Sequence, residues 1–127
     1  MTFLLFFTAI PLLNAQGDYK KDYKKAQKEG TTWVIILTMD GWGACSVLSN
    51  NLKQIKSEGQ IKNLVVTKLD FQSKYGKMMI QMYIKHLKSN VRSLPDWVVF
   101  KYDDGKFKFH NRNIGSFSKS DLITRLN

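Results

Sequence analysis

The sequence predicts one α/β domain: a central mixed four-stranded sheet with helices on both faces. Two apolar, β-branched runs at residues 33–37 and 61–69 are typical of strands buried on both sides. Segments with the apolar spacing of helices surround these runs, and strands that alternate with helices indicate βαβ units. A hairpin near the end of the chain adds antiparallel pairing, so the sheet is expected to be mixed. At 127 residues the chain suits a single domain.

The first half of the domain alternates helix and strand. Tyr19, Tyr23 and Ala26 follow helical spacing. Asp18 is expected to cap this helix and Gly30 to end it. Between the two apolar runs, further apolar residues recur at helical spacing. The predicted elements of this half are a helix over 18–29, a strand over 33–37, a helix over 46–58 and a strand over 61–69.

The second half contains a long helix, a hairpin and a final helix. The long helix has three methionines on its apolar side, which we interpret as core residues rather than soft-metal ligands. Phe107 and Phe109 alternate with polar residues and are expected to share one buried face of the hairpin. Ser118, with Asp121 three residues later, is typical of a capped helix start. The predicted elements are a helix over 73–88, strands over 97–102 and 106–110, and a helix after Ser118.

The first fifteen residues are interpreted as a secretory signal peptide. They contain no charged side chain, and the apolar run from Phe3 to Leu13 is too short to span a bilayer as a helix. A small-residue cleavage site ends at Ala15. We therefore expect a signal peptide over 1–15 and a single domain over 16–127 that is secreted or periplasmic. The alternative is an uncleaved leader, acting as a membrane anchor or as a packed N-terminal strand.

The chain is strongly basic. Lys and Arg total 20 against 10 acidic residues, and the net charge of +10 attracts acidic partners. The lysines are scattered along predicted helices, so no basic cluster is expected and nucleic acid is not favoured as a partner. His86 and His110 have no Cys or acidic residue at ligand spacing, and no glycine loop suited to phosphate is present. The sequence therefore predicts no metal and no other cofactor.

Four segments match, in order and spacing, the landmarks of one known family. A strand over 34–39 leads into the turn Trp42-Gly43-Ala44-Cys45, and Leu64–Asp70 follows as a second parallel strand. Val91–Phe100 carries Leu94-Pro95 before an apolar strand, and glycines in the hairpin and before the last helix complete the set. These segments resemble the thioredoxin-like family, with its W-C-G-x-C turn and its cis-proline. The resemblance covers nearly all of the chain after the leader and implies a thioredoxin-like fold.

The cysteines depart from the family pattern. Cys45 is the only cysteine of the chain, whereas the family carries two. One alignment places Cys45 at the family's resolving cysteine and Trp42 at its nucleophile. A second keeps Trp42 as the family's tryptophan, with the first cysteine deleted before Gly43. A third, which we favour least, makes Cys45 the nucleophile. The family's buried acid is also missing, because this stretch of the central strand is apolar: Ile35, Ile36 and Leu37.

The resemblance also implies where a substrate binds. In the family, the residue before the cis-proline offers its main chain to an extended peptide, and such strand addition does not need the dithiol. Leu94 takes that place here, and the Leu94–Pro95 bond is expected to be cis. Cys45, as a resolving-type thiol, is expected to be poorly exposed. The candidate substrate-binding residues are Trp42, Gly43, Ala44, Leu94 and Pro95.

Three functions follow as hypotheses. Because one thiol cannot complete a dithiol cycle, the leading hypothesis is an exported, redox-impaired thioredoxin-fold protein that binds a protein or peptide substrate. The alternative is a monothiol disulfide oxidoreductase, in which Cys45 is catalytic and an external thiol such as glutathione resolves the mixed disulfide. A third hypothesis is a basic accessory protein that binds nucleic acid or an anionic envelope. Enzymatic activity stays open at this point.

Overall fold

The structure is a computed structural model that describes residues 17–29, 32–39 and 43–127. The predictions made for the leader and for Trp42 lie outside these residues. Four helices and four strands are described: α1 (Gly17–Glu29), β1 (Thr32–Thr38), α2 (Gly43–Ser57), β2 (Leu64–Asp70), α3 (Lys74–Leu87), β3 (Asp96–Asp103), β4 (Lys106–Ile114) and α4 (Lys119–Leu126).

The strands form one mixed sheet in the order β2-β1-β3-β4. β1 is parallel to β2 and antiparallel to β3, and β3 pairs with β4 as an antiparallel hairpin. Trp33 to Leu37 of β1 have no exposed surface, because a strand with neighbours on both edges and helices on both faces is shielded on every side. The predicted mixed four-stranded sheet with β1 at its centre is confirmed.

Helices cover both faces of the sheet. On one face, α1 and α3 pack against odd-numbered residues of β1, and on the other, α2 and α4 pack against even-numbered ones, since side chains alternate along a strand. Met79 is fully buried in the first of these cores, with Met78 and Met82 packed at its margin. The prediction that the methionines are core residues is therefore confirmed, and so is the predicted packing of Phe107 and Phe109 on one face.

A buried polar chain joins α1 to the sheet. Trp33 Nε1 donates to Thr67 Oγ1 at 2.8 Å, and Thr67 Oγ1 donates to Asp22 Oδ2 at 2.8 Å. The indole N–H, the threonine hydroxyl and the carboxylate are thus hydrogen-bonded to one another, and these bonds offset the cost of removing them from water. This chain fixes α1 against β1 and β2.

Several predicted boundaries are shifted. β2 begins at Leu64 rather than at residue 61 because Asn63 has a left-handed backbone, with φ 54°, and its side chain donates to the Glu29 carbonyl at 2.6 Å. β4 runs to Ile114, four residues beyond the predicted end, because Ile114 pairs with Asp96. Helix α2 begins three residues earlier than predicted, at Gly43. The predicted Ser118 cap is confirmed, since its hydroxyl accepts from the Asp121 N–H.

Helix α3 begins very close to the end of β2. An ideal Cβ on Gly76 would lie 2.0 Å from the Asp70 carbonyl oxygen, so only glycine permits this approach. The Ser73 hydroxyl caps the helix by accepting from the Gly76 N–H at 3.0 Å and donates to the same Asp70 oxygen at 2.6 Å. Among the helices described, none has both the length and the apolar character to cross a membrane.

Candidate functional site

Cys45 lies in the first turn of α2, where the chain enters the helix after β1. Its side chain is only 5% exposed, as expected for an inward-facing thiol at this position. It nevertheless contributes to the wall of a cavity of about 420 Å³ between β1, α2 and β2. The other residues of this wall are Thr38, Met39, Ser46, Ser49, Asn50, Lys68 and Asp70.

The Leu94–Pro95 segment lies immediately before β3. The Leu94–Pro95 peptide bond is cis, as the resemblance implies, and Pro95 is buried. The Pro95 carbonyl accepts from the Gly115 N–H at 2.8 Å, and Trp97 Nε1 donates to the Gly115 carbonyl at 3.0 Å. These bonds fix the start of β3 to the end of β4. The main-chain N–H of Leu94 has no hydrogen-bond partner among the described residues.

The sheet register brings these two segments to the same end of the domain. Leu37 near the end of β1 pairs with Asp96 at the start of antiparallel β3. The chain therefore leaves β1 toward Cys45 at the end where Leu94 and Pro95 enter β3. Gly43 is exposed and Ala44 half-buried in the first turn of α2. The cavity wall that includes Cys45 comes from β1, α2 and β2, and Leu94 and Pro95 are not part of it.

Comparison with solved structures settles the architecture. The chain superposes on a thioredoxin from Thermus thermophilus with a TM-score of 0.64 at 18% identity, covering 85% of this chain and 80% of that one. For a thioredoxin from Trichomonas vaginalis the TM-score is 0.58 at 13% identity, with 87% and 90% covered. For Trxlp from Edwardsiella tarda the values are 0.56 and 19%, with 84% and 92% covered. The chain has the thioredoxin fold. No family model and no curated protein sequence matches it.

A buried ion pair supports the cis-proline segment of this thioredoxin fold. Asp96 has no exposed surface, and its carboxylate accepts from Arg112 Nε at 2.9 Å and from Arg112 Nη2 at 2.5 Å. These hydrogen bonds raise the pKa of Arg112 above its usual value. The guanidinium lies 4.2 Å from the ring centre of Tyr83 and donates to the Asn90 carbonyl at 3.3 Å. Arg112 therefore connects α3, β4 and the loop that ends at Pro95.

Sequence reasoning missed this ion pair. Its one visible signal is Asp96, an acid between Pro95 and an apolar strand. Its partner was not identifiable because the predicted second strand of the hairpin ended at residue 110, before Arg112. The stretch of β1 expected to lack an acid is apolar and buried, with Ile35 on one face of the sheet and Ile36 on the other. Asp96 instead lies at the start of β3, where both of its carboxylate oxygens accept from Arg112.

The histidines do not form a metal site within the described part of the chain. No group of three or more His, Cys, Asp or Glu side chains that is able to hold a metal ion occurs there. His86 lies in the last turn of α3, and His110 lies exposed in β4. Neither histidine contributes to the wall of the cavity beside Cys45.

Proposed function

We propose that this thioredoxin-fold protein binds an extended protein or peptide segment beside Leu94 and the first turn of α2, and does not run a dithiol redox cycle. The observation that carries the proposal is that Cys45 is the only cysteine of the chain and is 5% exposed. Thiol–disulfide exchange by one protein alone needs a second thiol to resolve the mixed disulfide. Disulfide reduction is therefore not available to this chain without help.

The main chain of Leu94 supports the binding role. Its N–H is unpaired among the described residues, and an added strand recognises such free main-chain groups. Pro95 is held by Gly115, and the Asp96–Arg112 pair ties the same loop to β4 and α3. A recognition segment held in this way loses little conformational entropy when a peptide binds.

We further propose that the protein is exported, to the periplasm or outside the cell. The proposal rests on residues 1–15, which have the uncharged, apolar character of a signal peptide. Mass spectrometry of the protein recovered after expression with its leader tests it. A mature chain that begins at Gln16 is the expected result, and recovery of the unprocessed chain in the cytoplasm contradicts it.

The binding proposal is tested with S-carboxymethylated insulin B chain, a peptide that is unable to form a disulfide. We expect it to shift the amide NMR signals of Leu94, Gly43 and Ala44. Leu94→Pro removes the free N–H and is expected to weaken binding by roughly tenfold, the value of about one well-formed hydrogen bond. Ser93→Pro adds a proline to the same loop and keeps that N–H, so it serves as the matched control. Equal loss in both variants, or shifts confined to another surface, contradicts the proposal.

The proposal that the chain does not run a dithiol redox cycle is tested by insulin reduction. The natural chain is expected to show negligible turnover, whereas Trp42→Cys is expected to gain activity if the scaffold lacks only its nucleophile. Measurable turnover by the natural chain would contradict the proposal.

One observation favours a second candidate function, a monothiol oxidoreductase. Cys45 contributes to a cavity wall, so a small disulfide has a path toward its sulfur. The Cys45 thiolate would attack oxidised glutathione, form a protein–glutathione mixed disulfide and release one glutathione thiolate. Incubation of the folded protein with oxidised glutathione, followed by intact-mass measurement, distinguishes the two. Rapid, stoichiometric glutathionylation supports the oxidoreductase, and an unmodified mass supports the binding protein.

A further inference from the structure

A second cavity, of about 330 Å³, lies between α2 and the outer strand β2. It adjoins the cavity beside Cys45, since the walls of both include Ser49, Asn50 and Lys68. Its volume is within the range of small-molecule sites. Its wall is made of hydrogen-bond donors around a single apolar side chain: Ser49, Asn50, Lys53, Lys56, Val66 and Lys68.

Four of the five polar side chains that line this cavity are not used by the protein itself. Within the described residues, the side chains of Ser49, Asn50, Lys53 and Lys68 make no hydrogen bond and no ion pair. Among the described residues, no acidic side chain contributes to this wall, and helix α2 contains none, although Asp70 lines the adjoining cavity. Two ammonium groups, one hydroxyl and one amide are therefore available to a ligand that only accepts hydrogen bonds, while the third ammonium, that of Lys56, lies beside Lys25.

The cavity also carries an excess of positive charge. The pKa of Lys56 is lowered by burial and by the nearby ammonium of Lys25 on α1, and Asp22 and Glu29 offset this only in part. Asp22 already accepts a hydrogen bond from Thr67. Lysines that lie apart in the sequence come together here, because Lys53 and Lys56 on α2 and Lys68 on β2 line the same cavity.

We propose that this cavity binds a phosphate group, as free phosphate or as a small phosphate ester. A phosphate near neutral pH carries between one and two negative charges and has acceptor oxygens on several sides, which matches three lysines around a hydroxyl and an amide. A carboxylate carries one charge and leaves most of the positive charge unneutralised. The assignment is independent of peptide binding at Leu94, because the two sites share no residue.

The full chain, titrated by amide NMR at constant ionic strength, tests this proposal. The probes are inorganic phosphate, glycerol 3-phosphate and, as the control for screening, chloride. We expect saturable shifts of the Ser49, Asn50 and Lys53 amides with both phosphates and none with chloride. Saturation by glycerol 3-phosphate at a lower concentration than by inorganic phosphate identifies an ester as the preferred source, and the reverse order identifies the free ion. Non-saturating shifts that are equal for all three probes overturn the proposal.

Two double variants with the same change in net charge complete the test. Lys53→Gln with Lys68→Gln is expected to weaken phosphate binding by at least roughly tenfold, since each removes a charged hydrogen bond to the ligand. Lys85→Gln with Lys106→Gln, at exposed positions on α3 and at the start of β4, is expected to change it less than about twofold. An equal loss of phosphate binding in both double variants overturns the proposed site. So does binding of a single-stranded oligonucleotide, steeply weakened by salt, with no saturation by phosphate.

Discussion

The burial of Cys45 predicts how fast its thiol reacts with iodoacetamide. Alkylation requires both thiolate and access, and the side chain is 5% exposed. If the rate scales with exposed area, the folded protein should react about 20-fold more slowly than the chain unfolded in urea, which is the reciprocal of that exposure. The measurement is the pseudo-first-order rate of labelling, followed by intact mass at one pH with and without denaturant.

A thiol moved by one residue provides the matched control. In the double variant Cys45→Ser with Ser46→Cys, the thiol stays in the first turn of α2 but lies at an exposed position. Its labelling rate in the folded protein should approach that of the unfolded chain. If native Cys45 instead reacts faster than the unfolded chain, the argument from burial is refuted and the thiol is an activated one. The monothiol oxidoreductase would then be preferred to the binding protein.

Three further predictions concern stability, each measured by urea denaturation. Gly76→Ala should cost about 3 kcal/mol, because its Cβ would lie 2.0 Å from the Asp70 carbonyl oxygen. Gly43→Ala, whose Cβ would meet no described atom within 4 Å, should be neutral or stabilising by up to about 1 kcal/mol. Similar values for the two variants would contradict the packing described for α3. Arg112→Met should lower the free energy of unfolding by about 3–5 kcal/mol, because it leaves the buried Asp96 carboxylate unpaired. Lys108→Met, which removes an exposed ion pair, should lower it by less than about 1 kcal/mol. A small effect at Arg112 would mean that the Asp96 carboxylate is solvated. Burial raises the pKa of Tyr83, so its neutral phenol stabilises the fold fully below the ordinary tyrosine value of about 10 and progressively less as pH rises above it. Tyr83→Phe should reduce this alkaline loss without destabilising the fold at neutral pH, since the hydroxyl has no hydrogen-bond partner in the described part of the chain. An unchanged alkaline slope would refute the assignment.

The fold was predictable where local pattern and burial agree. Trp33 to Leu37 is apolar without alternation, and β1 is buried on both faces. Ser118 is followed by an acid at the capping distance, and α4 begins there. Such signals are contained within a few neighbouring residues, so a single sequence displays them.

The features that the sequence did not predict depend on contacts between segments that are distant along the chain. Asp96 and Arg112 meet only because β4 continues past its predicted end, and the strand register decides that length. Lys53 and Lys68 line the same cavity only because α2 packs beside β2, and no local sequence pattern indicates that packing. For the candidate site, the sequence predicted that Cys45 lies near the start of a helix and that Pro95 directly precedes a strand. It did not predict the two cavities beside α2.

The single buried thiol also decides how the protein responds to its surroundings. A chain with one cysteine forms no internal disulfide, so its folding free energy contains no contribution from the oxidation state of the compartment. The two apolar cores and the Asp96–Arg112 pair hold the domain together in reducing and oxidising solution alike. Because the Cys45 side chain is only 5% exposed, a disulfide between neighbouring copies is disfavoured while the domain stays folded.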